Sequence, residues 1–486
     1  MFIIKKMQQE NALEIANNWH YPGIYSFYDF INDPLDYEEL ISKEKRQDDF
    51  FEVLDENKEL MGYLTCYFNE QSVEIGLGLR PDLTGHGLGE IFVRRCIRFI
   101  KENFNVNKIT LKVADFNERA IKVYQRCGFV KENVFSHQID NELCQFISMS
   151  LYIKKKEDMH IIDLHCDTIY AIMNQDEAGL LKNNLQIDLQ KLKKGNYMAQ
   201  CFAMFVNLSK ENNPFNKCID MIKRLTHELA INERLIDFAY SYQDIINNQE
   251  KEKLSAIITV EEGEVIEGDI KKLIYLYELG VRMITLTWNF DNAIGFPNIN
   301  LRNYKKGDSI DFSVPNNKDG LTPFGIEVVK KMNELGMIID VSHLSDKGFY
   351  DVLKYTNKPF LASHSNARAV CNHVRNLTDD MIKELAARRG IMGINYCDAF
   401  MSDNKEDGKN TIKHVVKHIK HIYNLVGVDV IALGSDFDGI DPDIELDNAS
   451  KLPLLINALK QEGFTDFEID KMTHLNFLRL FKEVAE

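Results

Sequence analysis

Eight apolar, β-rich runs alternate with helical stretches across residues 159–486, and no other feature of this chain restricts its fold as tightly. The runs read HIIDLHCD, YMAQCFAMFV, SAIITVEE, VRMITLTW, MIIDVSH, PFLASHS, IMGINY and DVIALGSDFDG. Parallel neighbours need a crossover between them, usually a helix, so this alternation implies a parallel sheet. Strands that read as nearly continuous apolar runs are those covered on both faces. Eight such units close on themselves as a TIM-like (β/α)8 barrel, an α/β architecture.

The polar side chains of these runs gather at their C-terminal ends: His165 and Asp167 on the first, Glu261 on the third, His343 on the fifth, His364 on the sixth and Asp436 on the eighth. In a parallel barrel all those ends open on one face, so residues remote in sequence can meet in one site. His165 and Asp167 stand two apart, and side chains alternate along a strand. Both can therefore face the site while Cys166 faces away as packing. Imidazole nitrogen and carboxylate oxygen are donors that Zn²⁺ accepts, and one carboxylate can serve two ions. Three histidines and three acids on one barrel face would be costly to bury without a cation, so the set reads as a metal site. A second histidine group, His414, His418 and His421 in TIKHVVKHIKHIYNLV, shares one helix face. It precedes the eighth strand, where a barrel keeps an outer helix, and it reads as packing histidines on a partly solvated face.

A chain of 486 residues holds more than one core. Lys and Arg number 58 against 74 Asp and Glu, a net charge of −16. That excess repels nucleic acid and anionic membranes, leaving small molecules and metal ions as the expected partners. The nine cysteines form no C-x-x-C pair, which argues against a disulfide framework or a cysteine zinc site. No apolar run reaches the ~20 residues of a membrane span, and the start turns polar too soon for a signal peptide. A cytoplasmic protein is expected. The charged stretch KKKED marks a boundary, giving a domain over 1–153, a linker over 154–158 and a second domain over 159–486.

The segments LHCDTI, TVEEGE, IDVSH, SHSNARAVCNHVRN and GSDFDG, in this order, resemble the membrane dipeptidase family of renal dipeptidase-like zinc metallopeptidases. The resemblance covers nearly all of residues 159–486. It implies a barrel of the metal-dependent hydrolase type with two Zn²⁺ ions, hydrolysing dipeptides. One ion would be held by His165 and Asp167, the other by His343 and His364, with Glu261 bridging rather than its neighbour Glu262. Asp436 matches the family's proton-transfer residue, and Arg375 the arginine that holds the substrate carboxylate. In TLTWNF, Trp288 occupies the position of a substrate-binding histidine of the animal enzymes. An indole N–H donates one hydrogen bond and carries neither charge nor proton, so substrate range should differ.

The first 153 residues mix strands (FFEVLDE, LMGYLTCYF, VEIGLGL, KITLKVA) with helices over Gly89–Asn103 and Asn117–Cys127, an α+β pattern. RPDLTGHGLGEIFVRRCIRFI leaves a strand, turns through three glycines and becomes a helix. Unpaired amides at the positive end of a helix dipole suit a pyrophosphate. With ADFNERAIKVYQRCGFV, this segment resembles the GNAT-type acetyltransferases. The resemblance implies acetyl-CoA as cofactor in a GNAT-type mixed-sheet domain. Its pyrophosphate would lie on the backbone of Thr84, Gly85, His86, Gly87, Leu88 and Gly89, with Asn117 on the pantetheine arm and Tyr124 protonating the departing thiolate. Thr84 stands where the family usually has Gln or Arg. Glu74, on the strand before the turn, is a candidate general base.

The combined reading is a fusion of an N-acetyltransferase acting on a small amine with a zinc dipeptidase. Oligomeric state is left open, a homo-oligomer included. The rival readings are a barrel that hydrolyses another small amide and a first domain that only senses acyl-CoA.

Overall fold

In a computed structural model, the protein is described over residues 3–69, 72–104, 106–139, 142–152, 159–173, 179–305, 307–403 and 411–485. The linker assigned to 154–158 lies outside the described residues. Two units separate, Met1–Asp158 and Met159–Glu486.

The first unit is built on β1 (Ile3–Lys6), β2 (Phe50–Leu54), β3 (Leu60–Phe68), β4 (Ser72–Leu79), β5 (Lys108–Ala114), β6 (Val130–Ile139) and β7 (Glu142–Tyr152). They form one mixed sheet in the order β1-β2-β3-β4-β5-β7-β6, antiparallel except where β4 meets β5. Period-two alternation sends Ile109, Leu111 and Val113 of β5 to one face, where they meet Phe92, Val93, Cys96 and Ile100 of the helix Gly89–Asn103. The parallel pairing of β4 and β5 lasts only from Ser72 opposite Lys108 to Glu74 opposite Thr110. Beyond Glu74 the two strands part, and the C-terminal half of β4 leads toward the glycine turn.

The second unit contains β8 (Ile161–Asp163), β9 (Tyr197–Phe205), β10 (Ile236–Phe238), β11 (Leu254–Glu261), β12 (Val281–Thr285), β13 (Ile338–Asp340), β14 (Leu361–Ala362), β15 (Ile391–Ile394) and β16 (Ile431–Leu433). All of them except β10 close a parallel ring, β8 pairing with both β9 and β16, and β9 with β11. These are the eight runs anticipated from sequence. The extra strand β10 fills the edge of β11 at Leu254–Ala256, below the point where β12 takes over at Ile258.

Alternation also sorts the barrel into layers. Ile257, Met283, Ile338, Leu361 and Ile391 point inward at the start of their strands, where Phe477, Leu480, Phe481 and Val484 of the C-terminal helix Asn476–Ala485 join them. Ile258, Val260, Ile284, Ile339 and Met392 point outward into the helix layer. The inward positions nearer the open end are polar. Asp340 is fully buried there and accepts from Thr285 Oγ1 (2.5 Å), Ser363 Oγ (2.6 Å) and the amides of Ser342 and Ser363. The apolar floor thus gives way to a hydrogen-bonded polar layer, and the candidate site stands on it.

Candidate metal centre and anion-binding loop

Period two along β11 carries Ile257, Thr259 and Glu261 inward, which leaves Glu262 facing away. The Glu261 carboxylate lies 3.4 Å from His165 Nε2, 3.1 Å from His343 Nε2 and 3.5 Å from His364 Nε2. Glu262 instead accepts from the Glu264 amide, the Trp288 amide and Asn292 Nδ2. His165 Nε2 is also 3.9 Å from Asp167 Oδ1 and 3.8 Å from Asp436 Oδ1. His165, Asp167, Glu261, His343, His364 and Asp436 therefore lie in one cluster at the C-terminal end of the barrel. Cys166 turns its thiol to the carbonyl of Cys201, away from that cluster.

Side chains of neighbouring strands set the imidazole orientations. His343 Nδ1 meets Asn289 Oδ1 at 2.9 Å, an acceptor, so Nδ1 carries the proton and Nε2 keeps its lone pair. His364 Nδ1 meets Ser363 Oγ at 2.7 Å, and that hydroxyl donates to Asp340, which fixes the same tautomer. The two Nε2 atoms then face each other at 3.1 Å with lone pairs directed inward. Two acceptors at that distance repel unless a cation lies beside them. His343 and Asp436 hold φ of +68° and +64°, the left-handed region, at a cost of about 1–2 kcal/mol each. Such strain collects where side-chain placement is over-determined. At Gly439 an added Cβ would fall 2.1 Å from Asp167 Oδ2, so only glycine lets the chain pass this close to the cluster.

The charges are mutually frustrated. Burial would depress the His165 imidazole, but Glu261, Asp167 and Asp436 outweigh it and lift it to about 10. Burial, with the charge of Glu261, pushes the Asp167 carboxyl well above its ordinary value, and burial drives Asp436 to about 6. Burial, helped by Arg375, lowers His343 to about 4. His165 Nε2 and Asp167 Oδ1 are buried without a hydrogen-bond partner. Inward lone pairs, orphaned buried donor atoms and competing carboxylates are what a divalent cation relieves. The donor set fits a metal, and it divides into three overlapping groups: His165, Asp167, Glu261; Glu261, His343, His364; and His165, His364, Asp436.

Around the cluster, Asn395 Nδ2 donates to Asp436 Oδ2 at 2.9 Å. Arg375 is 4% exposed, donates to the His364 carbonyl at 3.1 Å, and keeps a buried Nε with no partner. The half-buried Trp288 ring has its centroid 6.2 Å from that of His343. Asn289, Ser363 and Asp340 are absent from the sequence expectations. Only their position beside a strand end could have singled them out. The three helix histidines stay apart from this site. His418 accepts from the Ala367 amide, His421 pairs with Asp379 at 2.8 Å, and His414 and His418 are buried rather than partly solvated.

In the first unit the turn before the helix Gly89–Asn103 holds Gly85 and Gly87 at φ of +85° and +78°. Leu88, at the helix N-cap, supplies no side-chain cap, so the first-turn amides stay open. Thr84 turns its hydroxyl back to the Pro81 carbonyl, and His86 is exposed. Asn117 caps the next helix, Glu118–Arg126, by accepting from the Ala120 amide. Tyr124 packs 5.8 Å from Phe129, and burial raises its phenol above the usual range. Glu74 pairs with Lys112 at 2.9 Å, at the last position before β4 and β5 part.

All nine cysteines are free, and no helix among the described residues is long and apolar enough to cross a membrane.

Comparison with known proteins agrees with both halves. Residues 14–129 match the acetyltransferase (GNAT) family, and residues 154–486 match the membrane dipeptidase family, peptidase family M19. An uncharacterised protein from the pqqA 5' region of Klebsiella pneumoniae is 35% identical over 276 residues, covering 54% of this chain and 97% of that protein. An uncharacterised dipeptidase of Schizosaccharomyces pombe is 30% identical over 352 residues, covering 66% of this chain and 80% of its own length. A metallopeptidase from Rhodobacter sphaeroides, crystallised with a phosphinate mimic of the dipeptide L-Ala-D-Ala, shares the barrel fold. Its TM-score is 0.60 at 22% identity, covering 67% of this chain and 99% of that one. The chain therefore belongs to the membrane dipeptidase family, peptidase family M19, as a metallodipeptidase domain joined to a GNAT acetyltransferase domain.

Proposed function

We propose that the barrel hydrolyses dipeptides with two zinc ions, one held by His165 and Asp167, the other by His343 and His364, with Glu261 shared between them. The observation that carries this reading is the 3.1 Å approach of two lone-pair-bearing Nε2 atoms beside a carboxylate and two orphaned buried donor atoms. Such ions, when bound, would supply Lewis acidity to a carbonyl and lower the pKa of water toward ~7. The protein's own part is positioning and proton transfer. Asp436, oriented by Asn395, takes a proton from the attacking water and returns it to the leaving amine. The unpartnered Nε of Arg375 and its neighbouring N–H groups receive the substrate carboxylate, which favours dipeptides over longer chains. Trp288 borders the substrate. The free thiols are in keeping with a cytoplasmic setting.

The first unit transfers an acetyl group from acetyl-CoA to a small amine. The backbone from Thr84 to Gly89 cradles the pyrophosphate through the amides that follow Thr84, whose own amide donates to the Pro81 carbonyl. Asn117 lies beside the pantetheine arm, the half-buried Tyr124 phenol remains protonated to serve the departing thiolate, and Glu74 receives the amine's proton. Elemental analysis of the purified full chain, joined to a dipeptide panel and to calorimetry with acetyl-CoA, tests the whole. About two zinc equivalents, cleavage only of dipeptides with a free carboxylate, and acetyl-CoA binding with turnover on an amine are the expected results. A metal-loaded protein inert toward every dipeptide would overturn the barrel reading.

A further inference from the structure

Glu261 and Glu262 divide the work at the end of β11. While Glu261 meets the histidines, Glu262, at φ +96°, reaches sideways and pins the following strand's loop by accepting from the Trp288 amide at 3.2 Å and Asn292 Nδ2 at 2.5 Å. The residue after Trp288, Asn289, is fixed in turn by His343 at 2.9 Å. The loop is thus tied to the ends of β11 and β13, and the indole on it has little freedom. Its ring packs on Phe205 (centroids 4.9 Å apart) and Phe290 (5.7 Å), and Phe205 packs on Tyr170 (5.2 Å). Phe205 and Phe290 are buried whereas Trp288 and Tyr170 are half-buried, and of these two accessible rings it is the indole whose centroid lies 6.2 Å from that of His343. The nearby cation Arg302 is occupied by Asp291 at 2.9 Å.

Position around the ring says which part of a substrate meets this wall. Arg375 follows β14, the sixth strand of the closed ring, whereas Phe205 ends β9, the second, on the opposite side. Tyr170 follows the first and Trp288 the fourth. A dipeptide held by its carboxylate at Arg375 therefore extends its other end toward the aromatic arc. We propose that Trp288 is the specificity wall for the amino-terminal side chain, selecting dipeptides whose first residue is aromatic or large and apolar. The inference rests on the dipeptidase reading above, with Arg375 at the carboxylate. An aromatic or branched apolar side chain gains area and ring contacts there. A charged one would lose hydration against rings that carry no opposite charge.

The chain has two tryptophans, and the other, Trp19, lies buried in the first unit, so a W19F variant leaves Trp288 as the sole indole. Metal-depleted W19F protein, which does not turn over substrate, is titrated with Phe-Ala, Ala-Phe and Ala-Ala while its fluorescence is read. Phe-Ala should shift the emission and bind at least about tenfold more tightly than Ala-Ala, with Ala-Phe within about threefold of Ala-Ala. In the zinc-loaded enzyme, W288A should lower the ratio of kcat/KM for Phe-Ala to that for Ala-Ala about tenfold. Equal binding of all three dipeptides, a preference for Ala-Phe, or a uniform loss in W288A overturns the wall. Wild-type enzyme assayed on the same three substrates tests the wall without any substitution. Cleavage of all three with equal efficiency removes the wall alone, whereas cleavage of none removes the dipeptidase reading beneath it.

Discussion

The two candidate sites of this chain are built from different materials. At the barrel mouth, side chains from five strand ends converge, and a second side chain holds each of several donors: Asn289 for His343, Ser363 for His364, Asn395 for Asp436. In the first unit the proposed binding surface is the backbone of one turn, and nearby side chains are committed elsewhere, Thr84 to a carbonyl, Asn117 to a helix cap and Glu74 to Lys112. A site made of side chains should fail when one atom is removed. A site made of amides should ignore most side-chain changes and respond to backbone conformation.

The strongest break between the two comes from the metal. Stripping the full chain with a chelator should lower dipeptide hydrolysis by more than about 10³-fold, and zinc should restore it, since activation of water at neutral pH depends on the ions. Acetyl transfer, measured in the same sample with acetyl-CoA and an amine, should be unchanged. A parallel loss of both activities would show that the sites are not independent.

Next in size is the one carboxylate assigned a proton-transfer role in the first unit. Glu74→Gln should reduce kcat for acetyl transfer about 10²-fold while leaving acetyl-CoA binding intact. A rate near wild type would reduce Glu74 to its ion pair with Lys112 and leave the acetyltransferase with no side chain acting on the amine.

The six clustered residues are legible in the sequence because each sits where an apolar strand ends, and the closed ring brings such ends together whatever their separation. The choice between Glu261 and Glu262 requires the strand's phase. Once Ile257 is known to face inward, period two points Glu261 at the histidines. What holds those donors is not legible, because each holder comes from a different strand or loop and looks like an ordinary polar residue. Two strands of the first unit are hidden for similar reasons: β1 is four residues long, and β6 (VKENVFSHQI) is a polar edge strand paired only with β7. In the barrel, β10 has three residues and lies outside the closed ring. Short or one-sided strands bury too little to leave an apolar signature.

Those unseen holders supply the third test. Ser363 stands between a buried carboxylate and His364, donating to Asp340 at 2.6 Å and facing Nδ1 at 2.7 Å. Ser363→Ala should free the ring to rotate or change tautomer and weaken zinc binding about 10- to 100-fold, read by chelator competition. Ser363→Thr, which keeps the hydroxyl, should recover most of the affinity. Equal losses in both would mean that the site responds to packing at this position and not to the hydrogen bond.

The smallest effect is the most diagnostic for the backbone site. Gly87 holds φ of +78°, and a Cβ there would meet nothing within 4 Å, so Gly87→Ala alters conformational preference without a clash. The left-handed penalty of about 1 kcal/mol should weaken acetyl-CoA binding roughly fivefold in calorimetry. His86→Ala, one residue away and exposed, removes a whole imidazole yet should change binding by less than about twofold if only its amide serves the ligand. The reverse order, with His86→Ala the more damaging, would move recognition from the amides to a side chain. The first unit would then be built on the same principle as the barrel mouth, with its cofactor held by a ring nitrogen.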